Sequence, residues 1–254
     1  MTGAAQHRIE RVVVLGDGPA VPGIAQVLAV AGYQVVLCGD IEGLAAARAE
    51  VDGGRFGLLA AADAGRISRD ERTAALERLL FAEVPNEPAP EADLAEADLA
   101  VVSCAAEAAT ELVERLAELE GRLPAEATLA VDSPGDSLAA LSAGLARPER
   151  LVGWHWGQPA QLNKLAEIVA GAATAEAAVE SVVEVARRAG KNPVVTRDAP
   201  EGRGFVTNRL WAALRDEAER IVAEGVARPE EVDQLAADCF GWPAGPFSRA
   251  SKAP

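Results

Sequence analysis

R-V-V-V-L-G-D-G-P-A-V-P-G, running from Arg11 to Gly23, is the stretch whose reading decides the fold. Arg11-Val12-Val13-Val14-Leu15 is a short β-branched run that stops at a glycine. The residues after the turn place Ile24, Val27, Leu28 and Ala31 on one helical face, closed by Gly32 as a C-terminal stop. Gln34-Val35-Val36-Leu37-Cys38 is a second apolar run, of a length that suits a buried strand. Short apolar runs alternating with amphipathic helices imply parallel strands joined by right-handed crossovers. This is a βαβ unit.

The turn inside it carries chemistry. A glycine-rich loop between strand and helix lets the backbone approach a pyrophosphate, and the helix N-terminus favours the negative charge. Gly16 and Gly18 fill the first two positions of G-x-G-x-x-G, the third falls on Val21, and Gly23 lies two residues on. An acidic residue that binds ribose hydroxyls belongs at the end of the second strand. That position holds Gly39, with Asp40 one residue later. Gly16, Gly18, Gly23 and Asp40 are therefore the candidate dinucleotide ligands. NAD is expected ahead of NADP, because a carboxylate disfavours a 2′-phosphate and the next arginine, Arg48, falls a turn or two into the following helix. A Rossmann-type domain that has lost its nucleotide is the alternative reading.

Outward from this unit the pattern continues. Leu44–Val51 and Thr73–Phe81 read as helices separated by a glycine-bearing stretch, and Pro85–Pro90 is turn-rich. Leu99–Val102, Thr128–Val131, Leu151–Gly153 and Val194–Thr196 read as strands. A helix through Leu112, Leu116 and Leu119 and another over Ala175–Ala189 fall among them. Beyond Gly204 only helices follow, over Phe205–Gly225 and from Pro229 to Phe240. The fold class is α/β: a Rossmann-like doubly wound sheet over residues 1–197 with a short all-helical domain over 198–254.

Composition narrows the function. The 254 residues carry a formal charge of −15, which argues against nucleic acid or an anionic membrane as partner. Cys38, Cys104 and Cys239 lack metal-ligand spacing, so neither a disulfide framework nor a metal site is expected. No run of about eighteen apolar residues suggests a membrane span, and the polar start M-T-G-A-A-Q-H-R lacks an apolar signal core, so a cytoplasmic address is expected.

Only two histidines occur, and His155 lies in G-W-H-W-G-Q-P, from Gly153 to Pro159. Glu167 follows twelve residues later, at the end of an apolar stretch able to swing back beside it. A histidine oriented by a carboxylate suits proton transfer at a hydroxyl or carbonyl. The bland alternative is a core histidine packed between Trp154 and Trp156.

These segments together resemble the 3-hydroxyacyl-CoA dehydrogenase family. Gly23–Leu37 looks like its first helix and second strand, and A-G-R-I-S-R-D-E (Ala64–Glu71) like its helical excursion. R-P-E-R-L-V-G-W-H-W-G-Q-P (Arg147–Pro159) matches its R-P-E-R segment, K-L-A-E (Lys164–Glu167) its K-L-V-E, F-V-T-N-R-L (Phe205–Leu210) its F-x-x-N-R-L, and G-W-P-A-G-P-F (Gly241–Phe247) its G-F-P-M-G-P-F. The resemblance implies an NAD(P)-dependent oxidoreductase acting on a 3-hydroxyacyl thioester, CoA- or carrier-protein-bound. It makes His155 the general base, Glu167 its orienting partner and Asn208 a positioner of the substrate carbonyl. It also implies a homodimer through residues 205–240.

The departures are specific. The family's N-T-S-S segment corresponds to Asp132-Ser133-Pro134-Gly135, with Pro134 at the serine that binds substrate, leaving Ser133 and Ser137 as candidate substitutes. The expected cofactor-side glutamates reduce to Glu107, H-F-F-N-P has become H-W-G-Q-P, and the chain stops soon after Phe247, implying a shortened helical domain. A non-catalytic binding or regulatory protein on the same fold is the competing reading.

Overall fold

The computed structural model describes residues 8–83, 94–104, 109–133, 136–199 and 204–250, and the chain divides into two units, Met1–Gly202 and Arg203–Pro254. In the first unit an eight-stranded sheet has the order β3-β2-β1-β4-β5-β6-β7-β8. Its strands are β1 (Arg11–Leu15), β2 (Gln34–Gly39), β3 (Leu79–Glu83), β4 (Leu99–Ser103), β5 (Thr128–Asp132), β6 (Leu151–Trp156), β7 (Leu165–Ala170) and β8 (Asn192–Arg197). All neighbours run parallel except β6 and β7, which pair antiparallel. Val12, Val13 and Val14 are fully buried, as are the apolar residues of β4, because helices cover both faces of a parallel sheet and the strands read as unbroken apolar runs.

The helices of this unit are α1 (Val21–Val30), α2 (Ile41–Gly53), α3 (Leu58–Asp63), α4 (Arg69–Glu77), α5 (Ala109–Arg122), α6 (Leu138–Ser142) and α7 (Glu176–Arg188). The second unit holds α8 (Val206–Ala223), α9 (Pro229–Phe240) and α10 (Pro246–Ala250), with no strand among its described residues. β1 pairs with β2 on one side and β4 on the other. The strand order therefore reverses at β1, and a crevice opens beyond the carboxyl ends of β1 and β4, where α/β sheets bind ligands.

Two strands escape the sequence pattern. The expected helix 73–81 starts earlier and ends sooner: Ser68 and Glu71 form a capping box ahead of α4, and Leu79–Glu83 turns into β3 on the outer edge of β2. A run of four apolar residues, Leu79–Ala82, directly after a helix is too short to declare its own period. Strand β7 was hidden because L-A-E-I-V-A carries a carboxylate in its middle. The turn-rich stretch 85–90 lies outside the described residues.

The R-P-E-R segment is a structural lock. Arg150 donates from Nη1 to the carbonyls of Pro124 (2.7 Å), Ala125 (3.2 Å) and Ala127 (3.0 Å), and from Nη2 to Glu120 on α5 (3.4 Å). Glu120 also accepts from the N–H groups of Ala146 (2.7 Å) and Arg147 (2.9 Å). Burial alone raises the Glu120 carboxyl, but these donors outweigh it and hold the group below its usual range. The lock fixes the approach to β6. Arg150→Ala strands Glu120 without its buried partner and is expected to cost about 3 kcal/mol of stability, seen as a lower urea midpoint at unchanged slope.

Candidate active site

A cavity of about 1090 Å³ opens at the carboxyl ends of the first strands, bounded by the β1–α1 loop, the end of β2 and one face of α5. The loop is pressed onto the end of β4. Gly18 N–H donates to the Ser103 carbonyl at 3.1 Å. A Cβ on Gly16 would fall 1.9 Å from that same oxygen, and Gly16 has φ +120°, a conformation that side chains rarely adopt. A Cβ on Gly18 would meet Ser103 Oγ at 2.8 Å. Both positions therefore need glycine, and the backbone is bare where a pyrophosphate would approach. Val21 opens α1, lines the cavity and has its side chain in the core, with its N–H bonded to the Gly18 carbonyl at 3.0 Å. The helix begins at the position where the fingerprint has its third glycine.

Gly23 has a different task from the one expected. It lies inside α1, away from the cavity wall, and a Cβ there would meet the Gln161 side chain at 2.9 Å. Its small size admits the β6–β7 connector, whose Gln161 donates to Gln26 on α1 at 3.2 Å. Asp40 is on the cavity wall as the N-cap of α2, accepting from Gly43 N–H at 2.6 Å. Arg48 is stacked over Phe81, 4.2 Å from the ring centre. Glu107 lies outside the described residues.

His155 and Glu167 are brought together by strand pairing. They are direct partners in the antiparallel β6–β7 register, so their side chains leave the same face. His155 Nδ1 lies 3.4 Å from Glu167 Oε2, with the imidazole 18% exposed and the carboxylate 3%. Thr196 on β8 donates to the other Glu167 oxygen at 3.4 Å. Trp154 and Trp156 stack on each other with ring centres 4.3 Å apart and belong to the core. Alternation along β6 puts them on the face opposite His155, so the histidine is not the filling of an aromatic sandwich.

Lys191 fixes the connector. Its buried ammonium donates to the carbonyls of Ala160 and Asn163 (the latter at 2.8 Å) and stands 5.5 Å from the centre of the Trp156 ring. Burial lowers this amine to about 8.

The substrate-side serines are engaged locally. Ser133 donates to Asp136 at 2.7 Å, and Ser137 accepts from Ala140 N–H at 3.2 Å as the N-cap of α6. Both are buried and neither lines the cavity. A serine at an N-cap is claimed by its helix before it can serve a ligand, and Ser133 is claimed by its neighbouring carboxylate. Asn208 belongs to the second unit, in the first turn of α8, beside a shallow groove that also includes Trp211 and Arg215. Ser103 and Thr196 were not legible as site residues, since only the sheet register brings Ser103 to the glycine loop and Thr196 to Glu167.

The whole arrangement has known counterparts. The family description "3-hydroxyacyl-CoA dehydrogenase, NAD binding domain" matches residues 11–199, and the family's C-terminal domain matches residues 204–252. The chain belongs to the 3-hydroxyacyl-CoA dehydrogenase family. It is 35% identical to a 3-hydroxyadipyl-CoA dehydrogenase of Escherichia coli over 94% of its own length and 48% of that relative. It is 32% identical to a 3-hydroxybutyryl-CoA dehydrogenase of Bradyrhizobium diazoefficiens, over 95% of this chain and 78% of that one. The solved (S)-3-hydroxybutyryl-CoA dehydrogenase of Ralstonia eutropha superposes with a TM-score of 0.80 at 26% identity, covering 94% of this chain and 80% of that one. The chain thus spans about half of the Escherichia coli relative and about four-fifths of the other two. Family membership brings a nicotinamide-dinucleotide-binding domain, and the bare loop at Gly16 and Gly18 fits that group.

Gly16→Ala tests the fit. The added methyl collides with the Ser103 carbonyl, so the loop must leave β4. Cofactor affinity is expected to fall at least about tenfold, or about 1.4 kcal/mol, in a fluorescence titration with NADH.

Proposed function

We propose that this chain is an NAD-dependent dehydrogenase that interconverts a 3-hydroxyacyl thioester and its 3-keto form. The observation that carries the reading is the His155–Glu167 pair held across β6 and β7. With a proton on Nδ1 directed at Glu167, Nε2 is left as an acceptor for the substrate hydroxyl proton. Glu167, buried and bonded by Thr196, supports the imidazolium that forms. A bound nicotinamide would supply the acceptor for the hydride that leaves C3. The loop at Gly16 and Gly18 would hold the pyrophosphate, and Asp40 would take the ribose hydroxyls. By the family's pattern Asn208 positions the substrate carbonyl, and Ser133 or Ser137 serves only if its local bond is exchanged.

NAD is favoured over NADP because Asp40 is an anion on the cavity wall while Arg48 is committed to Phe81. CoA is the carrier in the names of the relatives, and fatty acid metabolism is the matching setting. Among the described residues no helix is long and apolar enough to cross a membrane, which agrees with a cytoplasmic address. Exposed Leu210, Leu235 and Phe240 on α8 and α9 suit a second copy of this chain as partner. The local bonds of Ser133 and Ser137 favour a second reading, a non-catalytic protein on this fold.

His155→Ala separates the two. As the general base, its loss is expected to lower kcat by roughly 10²–10⁴-fold on 3-hydroxybutyryl-CoA, with NADH affinity and melting temperature nearly unchanged. Glu167→Gln should do the same more mildly. Wild-type protein that binds NADH yet turns over no 3-hydroxyacyl thioester overturns the dehydrogenase reading.

NADH is expected to bind at least about tenfold tighter than NADPH, and Asp40→Ala to narrow that gap. Equal affinities in the wild type would remove Asp40 from the ribose.

A further inference from the structure

Gly157 carries the β6–β7 ladder one step beyond β6. Its N–H bonds to the Leu165 carbonyl at 3.5 Å, in the same register that sets His155 opposite Glu167. Alternation puts position 157 on the histidine's face of the sheet, about 7 Å further along the strand. The family's H-F-F-N-P has a phenylalanine at this place, and this chain has no side chain there. The space is filled from the connector instead. A Cβ on Gly157 would fall within the Asn163 carboxamide, 2.5 Å from Oδ1 and 2.6 Å from Nδ2. Three bonds hold the half-buried Asn163 in this position. Its N–H donates to the Pro159 carbonyl at 2.9 Å, its carbonyl accepts from Lys191 at 2.8 Å, and its Oδ1 accepts from the Leu165 N–H at 2.9 Å. A backbone N–H can only donate, so the last bond decides which end of the amide is oxygen. The Nδ2 group makes no hydrogen bond among the described residues. A fixed donor therefore stands beside His155 where the family pattern has a ring.

We propose that the Asn163 amide donates to an oxygen on the acyl chain of the substrate, so that the preferred substrates are 3-hydroxyacyl thioesters with a hydrogen-bond-accepting oxygen beyond C3. This rests on the dehydrogenase reading above. The C3 hydroxyl and the thioester carbonyl are common to every substrate of such an enzyme. A polar group in place of a ring therefore answers to the part that varies, which is the chain. An oxygen two carbons beyond C3 lies within a few ångströms of the C3 hydroxyl, a separation that neighbouring side chains on one strand face can serve. The three bonds on Asn163 orient its amide before any ligand arrives, so little ordering is left to oppose binding. A substrate with a plain alkyl chain covers the Nδ2 donor and leaves it unpaired, which disfavours that substrate.

Two CoA thioesters of equal chain length test this, 3-hydroxyglutaryl-CoA with a carboxylate at C5 and 3-hydroxyvaleryl-CoA with a methyl there. The wild type is expected to favour the first by at least about tenfold in kcat/KM, the worth of one hydrogen bond to a charged oxygen. Asn163→Asp keeps an acceptor for the Leu165 N–H and turns the donor into an anion, so the preference should vanish or reverse. Where Asn163→Asp does not fold, Asn163→Leu carries the test with the same expected loss. A wild type without the preference, or a preference that survives in the variant, overturns the proposal. An equal loss on both thioesters assigns the amide to the thioester carbonyl and overturns it too. Binding is read with NAD withheld, from the Asn163 side-chain amide signal in the proton–nitrogen NMR spectrum, identified by its absence from the variant. 3-Hydroxyglutaryl-CoA should move that signal and 3-hydroxyvaleryl-CoA should move it less. Such a result in a protein that oxidises neither thioester upholds the Asn163 contact and removes the dehydrogenase reading instead.

Discussion

The antiparallel pairing of β6 with β7 is the constraint on which the site depends. Every other neighbour in the sheet runs parallel, and parallel strands need a long crossover between them. Here the chain reverses through a connector of eight residues, and the register sets His155 directly opposite Glu167. A slip by one residue would send the carboxylate to the other face, among the stacked tryptophans. The register is guarded from both sides. The core face is filled by Trp154, Trp156 and Ile168, and the connector is gripped by Lys191 and by the Gln161–Gln26 bond to α1. Glu167 is then a buried anion with partners on both oxygens, which is the condition under which burial is tolerated.

A second constraint is steric and lies at the switch point. β1 leads into α1 through a loop that lies on the end of β4. The 1.9 Å separation between a hypothetical Gly16 Cβ and the Ser103 carbonyl leaves no room for any side chain. Close approach of loop to strand leaves the loop on the cavity side without side chains at Gly16 and Gly18 that would keep an anion away. The first two glycines of the fingerprint are thus kept for reasons internal to the fold. Gly23 is kept for another internal reason, the passage of the connector over α1.

Two carboxylates of the sheet unit have surroundings that pull them in opposite directions. Around Glu120, hydrogen bonds and Arg150 win over desolvation; around Asp132, desolvation wins over three weaker favourable influences. The difference lies in the donors: Glu120 has a guanidinium and two backbone N–H groups, Asp132 one hydroxyl and the backbone N–H of Trp156, with His155 acting only through its charge. The first is therefore a structural anchor, while burial pushes the second up to about 6.

The strand–turn–helix–strand at Arg11–Cys38, the helical character beyond residue 204 and the His155 segment were all legible from local pattern. So was the family, because several motifs occur in order. These features need only period, glycine and proline placement, and residue identity. β3 and β7 were not legible, one because its run is too short and the other because a functional carboxylate interrupts its apolar character. Nor were the roles of Ser103 and Thr196, whose partners, the glycine loop and Glu167, are set by the sheet register. The Ser133 and Ser137 hydroxyls show the converse: residue type suggested a ligand, and a helix cap and a neighbouring carboxylate claimed them. Local sequence determined which segments become strands and which turn can meet a phosphate. Only the tertiary register decided which polar groups face one another, because a side chain's partner across a sheet is set by pairing, and pairing is a property of two segments together.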